Sequence, residues 1–433
     1  MRAVYLIAGA GGMYCGSCLR DNRLAATLIA QGRDVVLIPL YTPIRTDETD
    51  VSGPDVYYGG INVYLRQKSA IFRGLPLWTT RVFEARSLLR RAMKYAGKAR
   101  VSDLGALTVS MLNGEHGAQR KELGRLIDGL RPLAPDIINL PNLMFVGLAK
   151  RLKETLGATV LCTLSGEDLF LDQLMDTHRR QAHDLIRARS RDIDGFIAVT
   201  DYFARYATEH FALNGERIHV VPMGIQLDDV GAPAAPPGPF TIGYLARVCP
   251  EKGLGHLVEA LALLRREGRD VRLRAAGYLG PSDKRYLEET RAAARRTGDA
   301  EAFEYLGEVD RPGKIAFLRS LHALSVPTDY HEAKGLYVLE ALACGVPVVQ
   351  PRHGSFPELV GATGGGLLYD PSDGSHAAAL AGAIARLMDD DSMRRGMAER
   401  GRAAVHESFS DQVMARRTWE LYDRLSNERT VTP

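Results

Sequence analysis

Residues 325–349 have the sequence SVPTDYHEAKGLYVLEALACGVPVV, in which two short apolar runs flank a polar loop and a helix-forming segment. Short, continuous apolar runs rich in Val are typical of buried parallel strands. The helix between them is expected to begin near Gly335 and to end near Gly345. A strand, a helix and a second strand in succession form one crossover unit of a parallel sheet, so this segment predicts an α/β fold.

The same alternation continues outward in both directions along the chain. In the first half, strands are predicted at residues 3–8, 34–40, 61–65, 136–140, 159–163, 195–200 and 218–222. In the second half, strands are predicted at residues 240–245, 271–276, 303–306, 323–326, 346–350 and 366–369. The pattern therefore predicts two Rossmann-like, doubly wound parallel sheets. Such sheets bind ligands at the carboxyl ends of their strands, so we expect a cleft that faces both domains.

The length of the chain also favours two domains, because a single hydrophobic core stops growing at roughly 250–300 residues and this chain has 433. The Pro-rich sequence GAPAAPPGP at residues 231–239 is predicted to be the interdomain linker. Residues 1–230 then form the first domain and residues 240–410 the second. A helix at residues 411–425, which carries Trp419 and Tyr422, is a candidate to pack back onto the first domain.

The composition, with 45% hydrophobic and 25% charged residues, is typical of a soluble globular protein and argues against disorder. A formal net charge of +3 is too small to indicate nucleic-acid binding. Five cysteines are too few for a secreted disulfide framework. No apolar run approaches the ~20 residues of a membrane span, and the first 13 residues do not resemble a signal peptide. We therefore expect a cytoplasmic protein.

Two carboxylates bracket a candidate phosphate site at the start of the helix in residues 325–349: Glu332 precedes the helix, and Glu340 lies inside it. The first-turn amides of Gly335, Leu336 and Tyr337 lack intrahelical partners and favour an anion such as a diphosphate. A glycoside hydrolase is disfavoured, because eight helical residues span about 12 Å of helix axis. A zinc protease is excluded, because no second His follows at the required spacing. Two exposed helix acids without a function are the remaining alternative.

Two cations follow the first strand of the second half. Arg247 and Lys252 lie in the loop at residues 246–253 and are predicted to face the ligand site. Fixed cations and helix amides stabilise a leaving diphosphate more than the bound donor, so no metal ion is required. The alternative is that both side chains are solvated on a surface loop.

A glycine-rich turn, GAGGMYCG at residues 9–16, follows the first strand and suits close approach of a phosphate or a sugar. It fails the dinucleotide-binding fingerprint, because Tyr14 stands where a third glycine is required. Cys15 and Cys18 have the spacing of a redox pair or of half a zinc site, but a second ligand pair is missing. Asp192 and Asp194 have the spacing of metal-binding acids, and a solvated helix end is the favoured interpretation.

These motifs together resemble glycosyltransferase family 4, which comprises retaining enzymes of the glycosyltransferase-B fold. The resemblance covers nearly the whole chain and depends on the order of its matching segments. They are Gly11 and Gly12, VPMGI at 221–225, Arg247 with EKG at 251–253, LGEV at 306–309, the Glu332–Glu340 pair and GSFPE at 354–358.

The resemblance implies a role for each matching position. Arg247 and Lys252 would hold the donor diphosphate, and the amides of Gly335 and Leu336 belong to the same phosphate site. Glu340 would bind the ribose hydroxyls, and the backbone near Val309 would bind the base. Glu332 would contact the transferred sugar, and Gly12 would let its loop approach the donor phosphates.

The activity implied is transfer of a sugar, with retention of configuration, from a nucleotide-diphosphate sugar to an unidentified acceptor. No metal or other cofactor is implied, and a UDP-sugar is slightly favoured over GDP- or ADP-sugars. A sugar-nucleotide epimerase of the same fold and a non-catalytic sugar-nucleotide-binding subunit are the alternatives. Ser165 stands where many members have His, and Met223 where Asn is common, which leaves the sugar and the acceptor open.

The acceptor side offers one candidate surface. Residues 66–100 carry ten Lys or Arg residues against a single acid, Glu84, with apolar residues interleaved. Such a basic amphipathic segment can lie on the inner face of an anionic membrane or bind an acidic acceptor. A helix packed on its own domain with its cations extended into water is the slightly favoured alternative. The acceptor itself, whether a glycan, a lipid-linked sugar or a small molecule, is not identified by the sequence.

Overall fold

The computed structural model describes residues 1–9, 15–53, 104–233, 236 and 238–431, and the chain divides into two compact units. The first unit comprises Met1–Pro222 and Gln412–Pro433, and the second comprises Met223–Asp411. The boundary precedes the predicted linker at residues 231–239. The reason is that residues 223–230 are bonded within the second unit: Ile225 pairs with Ser410, and Asp229 forms an ion pair with Arg311.

The first unit contains a parallel sheet of six described strands. They are β1 (Arg2–Ile7), β2 (Asp34–Pro39), β3 (Ile137–Leu140), β4 (Thr159–Thr163), β5 (Gly195–Ala198) and β6 (Ile218–Val220). Their order in the sheet is β2-β1-β3-β4-β5-β6. The described helices of this unit are α1 (Gly16–Ala30), α2 (Gly105–Leu112), α3 (Arg120–Leu130), α4 (Ala149–Leu156), α5 (Asp168–Leu171), α6 (Asp176–Arg189) and α7 (Asp201–His210). The strand predicted at residues 61–65 lies outside the described residues.

The C-terminal helix belongs to the core of the first unit. It runs from Asp411 to Val431, longer than the predicted 411–425, and is numbered α15 below. Met414, Trp419 and Tyr422 are buried with residues of β1 and α1 in one hydrophobic cluster. The rings of Tyr5 and Tyr422 lie 6.2 Å apart. The two chain segments of the first unit are therefore joined by a common apolar core.

The second unit also contains a parallel sheet of six strands. They are β7 (Phe240–Leu245), β8 (Val271–Ala276), β9 (Phe303–Tyr305), β10 (Ala323–Leu324), β11 (Val348–Pro351) and β12 (Gly366–Tyr369). The helices are α8 (Leu254–Arg266), α9 (Lys284–Arg296), α10 (Arg311–Arg319), α11 (Leu336–Ala343), α12 (Phe356–Thr363), α13 (His376–Asp389) and α14 (Asp391–Ser408). The strand β11 begins two residues later than predicted, because Pro347 has no N–H to donate to a sheet.

The strand order of the second sheet positions its site. The order is β12-β11-β10-β7-β8-β9, so the chain winds outward in opposite directions from β7 and β10, which are neighbours. Ligands bind outside the carboxyl ends of strands at such a reversal point. The loops that follow β7 and β10 carry Lys252 and Glu332, respectively. Within the part of the chain that the structure describes, every helix is too short or too polar to span a bilayer.

Candidate functional site

The centre of the candidate site is an ion pair between the loops after β7 and β10. The Nζ of Lys252 lies 2.6 Å from Oε2 of Glu332, and the side chains are 15% and 7% exposed. Burial of a charge is costly unless it is paired and hydrogen-bonded. The two residues predicted to serve the phosphate and the sugar are therefore brought into direct contact.

Two tyrosines complete the surroundings of this pair. The hydroxyl of Tyr330 donates to Oε2 of Glu332 over 3.0 Å, and that of Tyr337 lies 3.4 Å from the same atom. The Lys252 ammonium lies 5.0 Å and 5.3 Å from the centres of the two rings, within range of a cation–π attraction. Neither hydroxyl contact was predicted from the sequence.

The electrostatics of the pair keep the carboxyl group of Glu332 ionised. Burial acts to raise the pKa of Glu332, but the charge and hydrogen bond of Lys252 outweigh it and lower the pKa to about 2. Burial and the Glu332 charge raise the pKa of the Tyr330 and Tyr337 hydroxyls well above the ordinary value, so both remain protonated donors. Near pH 7 the site therefore holds a carboxylate, an ammonium group and two neutral hydroxyls.

The backbone around the pair is held by close approaches of neighbouring loops. The amide of Asp329 donates to the carbonyl of Glu251 over 3.0 Å. Gly253 has φ +74°, and a Cβ there would collide with the carbonyl of Pro327. Gly354, with φ +59°, approaches so closely that a Cβ would lie 2.6 Å from both N and O of Glu332. Only glycine fits at these two positions, and the loops that carry the ion pair are fixed by them.

We expect Gly354→Ala to disturb the site through the backbone. The new Cβ must displace Glu332, and the left-handed conformation is strained for alanine, so the free energy of unfolding should fall by about 1–3 kcal/mol. We also expect Gly354→Ala to bind nucleotide more weakly, because Glu332 is displaced. Chemical denaturation and ligand titration measure the two effects. The matched control is Gly361→Ala, since Gly361 lies in α12 with no atom within 4 Å of its Cβ position. Equal stability of the two variants would contradict the assigned packing role of Gly354.

A candidate anion site lies at the start of α11. Gly335 occupies the N-cap position with φ +68°, and no side chain caps the helix. The first-turn amides of Leu336 and Tyr337 therefore have neither an intrahelical acceptor nor a capping side chain. Their partial positive charge suits a phosphate oxygen. This is the position that the sequence predicts for the donor diphosphate.

Glu340 lies farther along α11 and has a partner that the sequence did not predict. The Nζ of Lys314, on α10, lies 2.6 Å from its Oε1, and the side chains are 11% and 10% exposed. Val309, which was predicted to lie near the base, precedes Asp310, the residue that caps α10 through a 2.9 Å bond from Gly313. The ion pair therefore connects α10, which follows Val309, to the helix that bears Glu340.

Arg247 lies beside the same site. Arg247 is exposed, and its backbone carbonyl accepts a 2.8 Å hydrogen bond from the hydroxyl of Tyr244. Burial raises the pKa of Tyr330, and the charge of Arg247 opposes that rise. Arg247 is therefore within electrostatic range of the residues that surround the Lys252–Glu332 pair.

The first-unit predictions fall partly outside the residues that the structure describes. Gly12 and residues 66–100 lie outside the described residues. Ser165 is described: its amide donates over 2.9 Å to Oε2 of Glu167, whose Oε1 accepts from the amide of Leu143 over 3.1 Å. Glu167 is buried. The turn after β4 is therefore fixed by a carboxylate that the sequence analysis left without a role.

The alternative metal and redox sites receive no support from their surroundings. Asp194 accepts hydrogen bonds from Lys153 and from the amide of Val160, which is a structural role. Cys15 and Cys18 are both in the thiol form rather than in a disulfide. A contact with Cys15, together with burial, raises the pKa of Cys18 well above its ordinary value. Neither cysteine belongs to a group of three potential metal ligands in the described part of the chain.

Comparison with known families gives two adjoining matches. Residues 107–229 match the model described as Glycosyltransferase Family 4, and residues 228–404 match the model described as Glycosyl transferases group 1. The second match contains all the described residues of the Lys252–Glu332 site.

Curated relatives match about half of the chain. The chain is 30% identical over 239 residues to the MMP alpha-(1->4)-mannosyltransferase of Mycolicibacterium hassiacum, a match that covers 54% of this chain and 55% of that protein. It is 33% identical over 230 residues to the D-inositol 3-phosphate glycosyltransferase of Pseudarthrobacter chlorophenolicus, covering 50% and 52%. The matches thus span just over half the length of these relatives.

Solved structures match nearly the full length. Sucrose-phosphate synthase from Thermosynechococcus elongatus superposes with a TM-score of 0.69 at 18% identity, covering 98% of this chain and 99% of that one. Anabaena HepE in complex with UDP superposes with a TM-score of 0.68 at 16% identity, covering 98% and 100%. At these identities the likeness establishes the architecture of two Rossmann-like sheets, the glycosyltransferase-B fold.

Proposed function

The chain belongs to glycosyltransferase family 4, and on that premise we propose that it is a retaining glycosyltransferase of the hexosyltransferase type. It transfers a sugar from a nucleotide-diphosphate sugar, bound by the second unit, to an acceptor that is still unidentified. The observation that carries the proposal is the buried Lys252–Glu332 pair beside the uncapped first turn of α11. An ammonium group, a carboxylate and helix amides together suit a diphosphate linked to a hydroxylated sugar.

The diphosphate would accept hydrogen bonds from the amides of Leu336 and Tyr337 and form ion pairs with Lys252 and Arg247. An ammonium group has three donors, so Lys252 can bind a phosphate oxygen while it keeps its bond to Glu332. As the bond between sugar and phosphate breaks, negative charge grows on the leaving oxygen. Fixed cations and amides stabilise that charge more than the ground state, which accelerates departure. These groups supply the role that a metal ion has in other enzymes, so we propose that the reaction is metal-independent.

The sugar and the nucleoside would be held by carboxylates and backbone. Glu332 would accept hydrogen bonds from sugar hydroxyls, and its low pKa keeps it an acceptor at any physiological pH. Glu340, held by Lys314, would accept from the ribose hydroxyls. A base near Val309 would be recognised by the backbone. The similar Anabaena HepE structures are complexes with UDP and UDP-glucose, which favours a UDP-sugar over GDP- or ADP-sugars as the first donor to test.

The experiment is a thermal-shift scan of the full chain with UDP, GDP, ADP and their sugar conjugates, each with and without EDTA. A ligand that binds the native state raises the melting temperature. We expect one nucleoside diphosphate to stabilise the chain, by a shift that EDTA does not reduce. If none of the nucleotides changes the melting temperature, the donor site is wrong; if EDTA abolishes the shift, metal independence is wrong.

Product analysis separates the proposal from its two alternatives. A transferase releases free nucleotide rapidly only when the right acceptor is present. An epimerase interconverts sugar nucleotides without an acceptor, and a binding subunit turns over nothing. The curated relatives are named for mannosyl and other glycosyl transfer, so the acceptor screen begins with sugar phosphates and inositol phosphates.

A further inference from the structure

Three potential ligands of a metal ion converge in the first unit, on elements that the proposed donor site does not use. Asp172 directly follows α5, His183 lies within α6, and His210 is the last residue of α7. One ring nitrogen of each histidine and one carboxylate oxygen of Asp172 all lie within 4.8 Å of one another. The Nε2 of His210 is 3.5 Å from Oδ1 of Asp172. In a tetrahedral zinc site, ligand atoms about 2.1 Å from the ion are separated by about 3.4 Å.

The two histidines have ring nitrogens without partners. The Nε2 atoms of His183 and His210 are buried, and neither has a hydrogen-bond partner. Buried polar atoms are almost always satisfied, so two such atoms in one cluster require an explanation. A neutral histidine usually binds a transition metal through the ring nitrogen that carries no proton and has an available lone pair.

The histidine rings are also held in place. A hydrogen bond with the backbone of His210 acts on the ring of His183. The rings of His183 and His210 meet edge to face, 5.1 Å apart, and Tyr206 stacks on His210 at 4.8 Å. Such orienting contacts around a ligand ring are typical of metal sites.

The charge and access of the cluster suit a divalent cation. The Asp172 side chain is 47% exposed and the His210 side chain 28%, so an ion can enter from solvent. Arg179, whose charge acts on His183, is paired with Asp176 at 2.7 Å. Imidazole and carboxylate ligands together favour zinc and its neighbours in the first transition row over magnesium or calcium.

We propose that Asp172, His183 and His210 form a binding site for a divalent transition-metal ion of the zinc type, with water as the remaining ligand. The ion joins the segment after α5 to the helices α6 and α7. The turn at Ser165–Glu167 leads into α5 and then into that segment, so the ion holds in place the polypeptide that leads away from the carboxyl end of β4. Its role is to stabilise the first unit, and the proposed donor chemistry in the second unit does not require it.

The test is a titration of tag-free, chelator-stripped full-length protein with Co²⁺ and with Zn²⁺. Co²⁺ reports its ligands by visible absorption, and Zn²⁺ should displace it. We expect one ion per chain and a rise in melting temperature with Zn²⁺. Replacing one ligand, as in Asp172→Asn, His183→Gln or His210→Gln, should weaken Co²⁺ binding at least about 10-fold. Of the three variants, we expect Asp172→Asn to disturb folding least, because the side chain of Asp172 is half exposed.

The chain contains a matched control. His256, Asp329 and His376 in the second unit also lie within 4.8 Å of one another. They are already bonded, with His256 Nε2 2.8 Å from Asp329 and His376 Nε2 2.7 Å from the Tyr369 hydroxyl. His376→Gln should leave Co²⁺ binding unchanged. Absence of binding to the unaltered protein, or binding that is lost in His376→Gln but kept in Asp172→Asn, overturns the proposal. The nucleotide-induced shift should be equal in Asp172→Asn and the unaltered protein, which separates this test from that of the donor site.

Discussion

Lys252→Met should weaken binding of the nucleoside diphosphate at least about 10-fold and lower kcat/KM of the transferase by about 10²–10³-fold, the usual cost of removing one such charged donor. The Lys252 side chain is only 15% exposed and lies beside the first turn of α11 only in the proposed arrangement of the donor site. Its loss removes an attraction that grows as the leaving diphosphate gains charge. It also leaves Glu332 buried without its ionic partner, and burial, then opposed by Lys334 and Tyr330 but no longer by Lys252, raises the pKa of that carboxyl.

Calorimetric titration with the nucleotide selected by the thermal-shift scan measures the first effect, and donor turnover with the acceptor from the screen measures the second. Lys150→Met is the control for loss of one lysine charge, because Lys150 is 48% exposed in a surface pair with Glu154. If Lys252→Met and Lys150→Met bind the nucleotide equally well, Lys252 does not hold the diphosphate.

The sequence predicted the sheets because their signal is local. Runs such as residues 159–163 and 240–245 are short, apolar and bounded by polar segments, and the structure has strands at Thr159–Thr163 and Phe240–Leu245. The extent of the first unit could not be predicted in the same way. It depends on contacts between distant segments, such as those of Ile225 with Ser410, which assign residues 223–230 to the second unit.

For the site, too, the sequence predicted which loops meet but not the contacts between their side chains. Loops that follow neighbouring strands had to meet, so the proximity of Lys252 and Glu332 follows from the fold class and from the order of the motifs. Their direct ion pair, the hydroxyl of Tyr330 and the pairing of Lys314 with Glu340 depend on side-chain geometry that no spacing encodes. The same is true of the cluster of Asp172, His183 and His210, whose members lie on three elements. Gly12 and residues 66–100 lie outside the described residues, and their predicted roles remain predictions.

Glu332→Gln should change nucleotide binding in the direction opposite to that of Lys252→Met. The carboxylate neutralises Lys252 in the unliganded site, so its replacement by a neutral amide leaves that positive charge available to the diphosphate. We expect the nucleoside diphosphate to bind several-fold more tightly, while kcat falls at least about 100-fold, because the sugar loses a charged hydrogen-bond acceptor in the transition state. Calorimetry and turnover measure the two effects, with Glu259→Gln on the exposed face of α8 as the control.

The stability of this variant gives an independent check on the same ion pair. The pKa of Glu332 is lowered to about 2 in the folded chain, against about 4.3 for a free glutamate. Because the pKa is lower in the folded chain, ionised Glu332 stabilises the folded state fully above about pH 4.3, and this stabilisation is lost as the pH falls toward 2. Glu332→Gln should therefore be less stable than the unaltered chain by about 3 kcal/mol near pH 7, and the difference should shrink in acid. A difference independent of pH between 7 and 3, or weaker nucleotide binding in Glu332→Gln, would mean that the pair does not control the charge of the site.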